Sequence, residues 1–295
     1  MSGYLSVSAK LVLNVHDLNN EGSVGQSLDI RQIRMVDEDG NSLEEMPAVS
    51  GRMMKHWHLE HMRRTALESG LALCSICESG QPDRQAAATD ELSAINECVV
   101  CDVHGFLSTK KMTNAPRRSS CVSFSWLLPA LGTKPETKQV IHSRVASGTE
   151  ISGGDGETSQ MIFYKSYASG VFAFVANIDL SRIGSTIDNR HIEQGARSRC
   201  ELAVQALLPL VLGAFGASQS HALPHAKCLG LLAALSTTEK PIPNLISPIY
   251  SNGFDESIAL LESLGSGVEW WTYGKGLKNG KGTVQAVFDE ILRKI

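Results

Sequence analysis

Four cysteines in two closely spaced pairs are the residues whose types and spacing most directly predict chemistry in this chain. Each pair has the form Cys-x-x-Cys, with Cys74 and Cys77 in the first and Cys98 and Cys101 in the second. A turn of this kind places two thiolates about one tetrahedral edge apart, and two such turns complete a shell of four sulfurs around Zn²⁺. Because four protein thiolates leave no open position for water, the spacing predicts a structural zinc ion and not a catalytic one.

Two other interpretations of these cysteines stay open from the sequence. They could be four unconnected thiols, or one redox-active pair beside an accidental one. Bound zinc would contribute on the order of 10 kcal/mol to folding, which would explain how the polar segment between the pairs keeps its shape without an apolar core. The other three cysteines, Cys121, Cys200 and Cys228, are isolated and are predicted to be buried without a chemical role.

A concentration of positive charge is the second chemical feature. The chain has 27 Lys and Arg against 31 Asp and Glu, a net charge of −4, which excludes a uniformly basic nucleic-acid coat. Residues 103–149, however, carry seven basic side chains and one acidic one, so this segment is +6 and the rest of the chain is −10. A local positive field on an acidic protein favours one groove for a polyanion. The alternative is a solvated loop with a chance cluster of charge.

The start of one predicted helix combines several groups that bind phosphate. Ser50 is a good N-cap residue, and Arg52, Lys55 and His56 follow it in the first turns. Free backbone amides at a helix N-terminus and nearby cationic side chains together make a favourable phosphate site. The alternative is a helix start that is merely exposed.

Two loops supply the other candidate contacts. The loop before a predicted strand carries Lys110, Lys111, Arg117 and Arg118, which suit contacts to a nucleic-acid backbone. A second loop, at 212–221, follows a predicted helix, and its glycines allow a ligand to approach the backbone closely.

Recognisable enzyme motifs are missing from the sequence. It contains no Walker loop, HExxH, GxSxG or GxGxxG after a strand, and no acid/base pair of carboxylates in a known pattern. His58 and His61 lie three apart on one helix without a third metal ligand, so they are predicted to be packing or surface histidines. The chain is therefore predicted not to be an enzyme.

These residues need a globular framework, and the hydrophobic pattern predicts one. Apolar residues alternate at 5–15, 122–128 and 171–180, which predicts strands, whereas helices are predicted at 51–69, 197–213 with a break near Pro209, and 284–294. Residues 147–159 predict a loop or hairpin tip. We expect one α+β sandwich without independent domains. No signal peptide is expected, and residues 202–215 are too short to span a bilayer, which together with the cysteine usage predicts a cytoplasmic protein.

Several segments, taken together, resemble one protein family. They are LNVHDLN at 13–19, PAVSGRMMKHWH at 47–58, CDVHGFL at 101–107, RRSS at 117–120, QMIF at 160–163, and Gly216-Ala217 with Pro224 and Lys227. This pattern is similar to the backbone subunit of type I CRISPR Cascade complexes, the Cas-seven or DevR-type autoregulator family, and looks closest to the type I-A and I-B branches.

The resemblance implies a fold and a function. The fold would be a modified RNA-recognition-motif (ferredoxin-like) palm over 1–295, with a zinc-stapled finger insertion at about 70–115 and a thumb hairpin at about 140–165. Copies would polymerise along the spacer of a CRISPR RNA and present its bases for pairing with target DNA. Partners would be that RNA, target DNA, other copies of the chain, the Cas-five, large and small subunits, and the helicase-nuclease, with no membrane.

The resemblance also assigns residues to RNA. Met161 would be the thumb residue that wedges between bases. The full set of implied RNA contacts is His16, Asn19, Arg52, Lys55, His56, Lys110, Lys111, Arg117, Arg118, His142, Arg144, Met161, Ser218, Ser220 and His221. The acidic turn at 37–45 of one copy is hypothesised to meet the basic segment of the next.

Two other functions remain as alternatives. One is a sequence-specific DNA-binding autoregulator, which would need a base-reading element and twofold symmetry. The other is a metal-dependent ribonuclease as in type III relatives, for which Asp17 or Asp155 would be the acidic residue.

Overall fold

The computed structural model describes residues 3–18, 20–24, 27–85, 87–112, 114–145, 160–192, 194–216, 223–238 and 241–295. Within these ranges the strands are β1 (Tyr4–His16), β2 (Asn20–Val24), β3 (Ser27–Ile30), β4 (Gln32–Val36), β5 (Ser42–Pro47), β6 (Phe106–Leu107), β7 (Arg117–Arg118), β8 (Val122–Phe124), β9 (Leu128–Pro129), β10 (Glu136–Val145), β11 (Gln160–Asp179), β12 (His225–Ser236) and β13 (Val268–Gly274). The helices are α1 (Gly51–Glu68), α2 (Ser75–Glu78), α3 (Glu91–Glu97), α4 (Val99–His104), α5 (Ala196–Gln205), α6 (Leu207–Val211), α7 (Gly253–Ser263) and α8 (Val284–Lys294).

The central sheet has β1 as its middle strand. β1 pairs antiparallel with β11 on one side and with β12 on the other, and β13 extends the sheet beyond β12. The residues of β1 that alternate inward, Leu5, Val7, Ala9, Leu11 and Leu13, are completely buried. The strand predicted from this alternation is therefore confirmed.

Helices cover both faces of this sheet. Side chains of α1, α5, α6 and α8 pack with the inward residues of β1 in the main hydrophobic core. On the opposite face, Ile258 and Leu261 of α7 pack with Leu232 and Ala234 of β12 in a second core. This mixture of helices with an antiparallel sheet confirms the predicted α+β class.

A long hairpin extends from the sheet. β11 is longer than the predicted strand at 171–180, because its first half pairs with β10 from Glu136 opposite Ser169 to Val145 opposite Gln160. The segment expected to form a thumb, at about 140–165, falls within the range of this hairpin. The predicted loop at 147–159 lies outside the described residues.

Two further predicted elements have different bounds in the structure. The helix at 197–213 is divided at Ala206 into α5 and α6, so that Pro209, which lacks an N–H, lies in the first turn of a new helix. The strand at 122–128 is divided into β8 and β9, because Leu127 turns to pair with Val49. β12, α7 and β13 were not predicted.

The segment between the cysteine pairs is not the coreless insertion that we expected. Ala94 and Ile95 of α3 and Val100 and Val103 of α4 are buried in the main core, together with the four cysteines. The apolar residues are few but all on one side, so the segment folds onto α1 and α5. In the described residues, no helix is long and apolar enough to cross a bilayer.

Candidate metal centre and nucleic-acid interface

The four cysteine sulfurs converge on one point. All four Sγ atoms lie within 4.8 Å of one another. The Sγ of Cys101 is 3.8 Å from that of Cys74 and 3.6 Å from that of Cys77. A tetrahedron with Zn–S bonds of 2.3 Å has S–S edges of about 3.8 Å, so these two distances match the edges of such a shell.

Short helices set this spacing. Cys74 is the N-cap residue of α2 and Cys98 the N-cap of α4, where the Cys98 sulfur accepts a hydrogen bond from the backbone N–H of Cys101. The two cysteines of each pair are therefore one helical turn apart, which brings their sulfur atoms close together. The contact between Cys74 and Cys101 lowers the pKa of Cys74 and raises that of Cys101. The donor set fits a structural metal and leaves no position for substrate.

The remaining cysteines are separate from this centre. Cys121, Cys200 and Cys228 are buried, as predicted. Burial raises the pKa of Cys121 to about 11 and the pKa values of Cys200 and Cys228 to about 12. These three thiols are therefore protonated and unreactive at neutral pH.

A buried network of charges surrounds Asp102, the residue after the last cysteine. Arg118 and Arg199 each bond one carboxylate oxygen of Asp102, and the backbone N–H of Gly184 donates to the same group. The second nitrogen of Arg118 pairs with Glu91 at 3.0 Å. The network joins the cysteine-bearing segment to the loop at 182–185 and to α5.

This network argues against the predicted RNA contact of Arg118. Its side chain is 1% exposed, and its guanidinium also donates to the backbone carbonyls of Asp102, Arg182 and Ser185. An arginine that is fully paired inside the protein has no donor left for a phosphate. Arg117, its neighbour, is exposed.

The start of α1 forms one wall of a cavity of about 600 Å³. Ser50 caps the helix by accepting a hydrogen bond from the N–H of Met53, as predicted, and the first turn contains no acidic residue. Arg52, Lys55 and His56 line the cavity together with Arg84, which comes from the segment between the cysteine pairs. Among the described residues that line it, none is acidic.

Two cations of this cavity lie close enough to influence each other. Lys55 is half-buried, and burial first and the charge of Arg84 second lower its pKa. Arg84 donates from Nε to the backbone carbonyl of Gly105 at 3.3 Å. Like charges held together at a partly dry site favour an anion between them.

Arg117 extends the positive surface beyond Arg84. Leu107 lies opposite Arg117 across the β6–β7 pair, so the two side chains share one face. Leu107 and Thr109 line a cavity together with Arg84 and the acidic Asp83. Lys110 and Lys111 follow Thr109 and are exposed.

Aromatic rings continue this surface across α1. The ring centroids of His56 and Trp57 are 6.0 Å apart, and those of Trp57 and His61 are 6.1 Å apart. His61 bonds through Nε2 to the backbone carbonyl of Ala214 at 2.7 Å. The rings therefore lead from the flank of Lys55 to the opposite flank, where residues 213–216 lie.

His16 lies at the end of this path and is completely buried. Its ring packs on Phe215 with centroids 4.8 Å apart, and its Nδ1 accepts a hydrogen bond from the N–H of Leu18. Burial lowers its pKa, against the opposing charge of Asp17. Gly216 has φ of +129° and no room for a side chain beside Asp17, which explains the glycine there. His16 thus supports a loop and does not face a phosphate directly.

The base of the hairpin lies next to Asp17. Lys165 pairs with Asp17 at 3.5 Å and stands over the ring of Tyr167 at 5.3 Å. The hydroxyl of Tyr167 is 3.1 Å from Nε2 of His142, and His142 stacks on Phe163. These buried side chains therefore join residues 213–216 to the base of the hairpin inside the protein. Asp17, paired and 3% exposed, is not presented to a metal ion.

Several predicted contacts cannot be located. Asn19, Ser218, Ser220 and His221 and the alternative nuclease residue Asp155 lie outside the described residues. The backbones of Arg144 and Met161 are described and pair with each other in the hairpin.

Sequence reasoning missed Arg84, which stood among polar residues of an insertion with no periodicity to orient it. Trp57 is half-buried and packs against the main core. His58, by contrast, was rightly predicted to be a packing residue, since it is completely buried and bonds His104 and the carbonyl of Ala203.

The fold and the site define an α+β protein with a cysteine-stapled insertion, an extended hairpin and a cationic, aromatic surface on α1. A solved structure described as a "CRISPR RNA-guided surveillance complex" contains a chain with this fold, at a TM-score of 0.59 and 13% identity, with 98% of both chains covered. A second, described as "CRISPR RNA-guided surveillance complex, pre-nicking", matches at a TM-score of 0.57 and 15% identity and covers 98% of this chain and 99% of that one.

Sequence comparison identifies the family. The family described as "CRISPR-associated negative auto-regulator DevR/Csa2" matches residues 7–258. The chain is 29% identical to "CRISPR-associated protein Cas7/Cst2/DevR" of Methanocaldococcus jannaschii, over 99% of this chain and 100% of that one. It is 28% identical to "CRISPR-associated protein Cas7/Csa2 1" of Saccharolobus solfataricus, over 81% and 80%. The chain belongs to the DevR/Csa2 family.

Proposed function

We propose that this protein binds the spacer of a CRISPR RNA as a repeated backbone subunit of a type I surveillance complex and holds it for pairing with target DNA. The observation that carries the proposal is the cavity at the start of α1, which Arg52, Lys55, Arg84 and the exposed ring of His56 line without an acidic residue among its described lining. Cations that hold phosphates and rings that stack on bases are the elements of sequence-independent binding to a single strand. The matched surveillance complexes support the same role.

In this proposal the palm is the sheet with α1, the finger is the cysteine-stapled segment and the thumb is the β10–β11 hairpin. Arg52, Lys55 and His56 contact the RNA backbone, and Arg117 with Lys110 and Lys111 extends the track. Arg144 and Met161 act from the hairpin. Zinc at the four cysteines stabilises the finger without taking part in a reaction, and the subunit itself catalyses none.

Purification from cells that express the protein with a CRISPR array tests this function. We expect co-purifying RNA of uniform length, about one zinc per chain by elemental analysis, and no cleavage of that RNA in Mg²⁺. Regularly spaced cleavage would favour the nuclease alternative. A footprint on one defined DNA operator without RNA would favour the regulator.

A substitution in the exposed acidic turn between β4 and β5 tests whether copies of the chain assemble through this turn. Asp37 shapes this turn, because it accepts hydrogen bonds from the backbone and side chain of Asn41, which lower its pKa. Asp39 is the better position for a charge reversal. If the turn meets the basic segment of the next copy, Asp39→Lys shortens the RNA-bound assemblies seen by sedimentation, whereas unchanged assemblies would rule out this contact.

A further inference from the structure

Arg84 lies between the two cysteine pairs in the sequence, and the structure holds it from both of them. The chain leaves Cys77 through a turn in which the N–H of Gly80 bonds the carbonyl of Cys77. It then reaches Arg84, whose Nε donates to the carbonyl of Gly105. Gly105 in turn donates its N–H to the carbonyl of Cys101. The side chain is therefore fixed by one segment after each pair.

The cavity that Arg84 completes is built from two parts of the chain. Arg52, Lys55 and His56 come from α1, and Arg84 faces them from the cysteine-bearing segment. Among the described residues, Arg63 of α1 donates to the carbonyl of Glu78 at 3.2 Å, and His58 of α1 is hydrogen-bonded to His104 of α4 at 2.9 Å. The width of the cavity thus depends on how the cysteine-bearing segment is held.

A buried histidine also lines this cavity. His104 lines it, is 3% exposed, and its Nδ1 has no hydrogen-bond partner among the described residues. If the Nε2 of His58 donates to the carbonyl of Ala203, the Nδ1 of His58 must accept from the Nε2 of His104. The Nδ1 of His104 is then an unpartnered acceptor, and because a phosphodiester has no proton to donate to it, the groups of this cavity that suit a phosphate are the cations Arg52, Lys55 and Arg84.

We propose that Arg84 binds a phosphodiester of the RNA together with Arg52 and Lys55, and that the four-cysteine metal site controls the affinity of this cavity by holding Arg84 in place. The inference rests on the proposed RNA-binding function. Loss of the metal lets the two cysteine pairs separate. The segment after Cys77 and the segment at Gly105 then no longer fix Arg84 opposite Lys55.

Arg84→Ala tests the phosphate contact. The probe is a single-stranded RNA of spacer length labelled with fluorescein, and its anisotropy is measured with the full chain at several salt concentrations. We expect about a tenfold loss of affinity, because a charge-assisted hydrogen bond is lost, and a salt slope smaller by about one. Arg34→Ala is the matched control: Arg34 is an exposed arginine paired with Glu44 outside the cavity, and its variant should bind like wild type.

Metal removal tests the coupling to the cysteine site. The protein is treated with a zinc chelator, and its folding is checked by circular dichroism. We expect metal removal to weaken RNA binding of wild type by about the factor lost in Arg84→Ala, and to have no further effect on Arg84→Ala itself. An equal loss in both proteins would show that the metal acts elsewhere and would overturn the coupling.

The failures of the two proposals can be told apart. If Lys55→Ala weakens binding but Arg84→Ala does not, this inference is wrong and the RNA-binding function stands. If neither substitution changes affinity or salt slope, the RNA-binding surface itself is wrong. Global unfolding of the metal-free protein would also overturn the inference, because the metal would then support the whole fold and not the position of one side chain.

Discussion

Two regions of this molecule contain clustered arginines, and they use them in opposite ways. Around Asp102, Arg118 and Arg199 are buried and every charge has a partner of opposite sign. Around the start of α1, Arg52, Lys55 and Arg84 face one cavity without an acidic residue among its described lining. The first region joins parts of the fold, whereas the second has positive charge left for a ligand. The comparison shows that a count of basic residues does not measure the capacity to bind RNA.

The largest expected effect comes from breaking the buried network. Asp102→Ala leaves Arg199 buried without a counter-charge and Arg118 paired with Glu91 alone, so we expect the free energy of unfolding to fall by about 3–5 kcal/mol. Urea denaturation measures the change. Asp188→Ala is the control, because Asp188 forms an exposed ion pair with Arg190 and its loss should have little effect. Equal stability of the two variants would show that the Asp102 network is not what joins these segments.

The buried side of α1 can be compared with its exposed side by measuring how the free energy of unfolding depends on pH. His58 is fully buried, and burial lowers its pKa from 6.5 to about 4. Between pH 6.5 and 4 the unfolded chain therefore binds a proton at His58 more readily than the folded chain does. The stability that comes from keeping His58 neutral is present above pH 6.5 and is lost as the pH decreases towards 4. From pH 6.5 to 5, His58 should account for a loss of about 2 kcal/mol.

The measurement is urea denaturation of wild type and His58→Gln at pH 7.5 and pH 5. The variant should lose less stability than wild type over this interval. His56→Gln, on the exposed side of the same helix, should follow wild type. If both variants followed wild type, His58 would not be the group that titrates.

The exposed side of α1 is tested by the effect of a substitution there on RNA affinity. Lys55→Ala should weaken binding of the spacer-length RNA about tenfold and reduce the salt slope by about one, because one phosphate contact is lost. Thermal unfolding should change little, since Lys55 has no ion-pair partner among the described residues. A loss of stability without a loss of affinity would assign Lys55 to the framework instead.

The smallest expected effect on RNA affinity is that of Arg117, and it can be compared directly with the effect of the adjacent Arg118. Arg117→Ala should weaken RNA binding about threefold and leave stability unchanged, as expected for one exposed phosphate contact. Arg118→Ala should instead destabilise the fold through Glu91 and Asp102. Anisotropy and urea denaturation on both variants measure the two effects. Similar behaviour of the two variants would remove the distinction between the regions.

The sequence by itself determined the local features. Contacts within a few residues specify three elements: the alternating apolar residues specify β1, the Ser50 cap specifies the start of α1, and an apolar stripe specifies α8. The structure contains all three. The two Cys-x-x-Cys turns likewise fix sulfur spacing locally, and the four thiols meet. The family could be identified because its motifs are continuous in the chain.

Only the tertiary structure decided which cationic side chains remain available to bind a ligand. Arg117 and Arg118 are indistinguishable in sequence, and a strand of two residues turns one outward and the other into the network of Asp102. Arg84 acquires its place only because two distant segments hold it opposite Lys55. Burial and pairing depend on long-range packing, and the electrostatic energy of a side chain follows from what surrounds it in space and not from its neighbours along the chain.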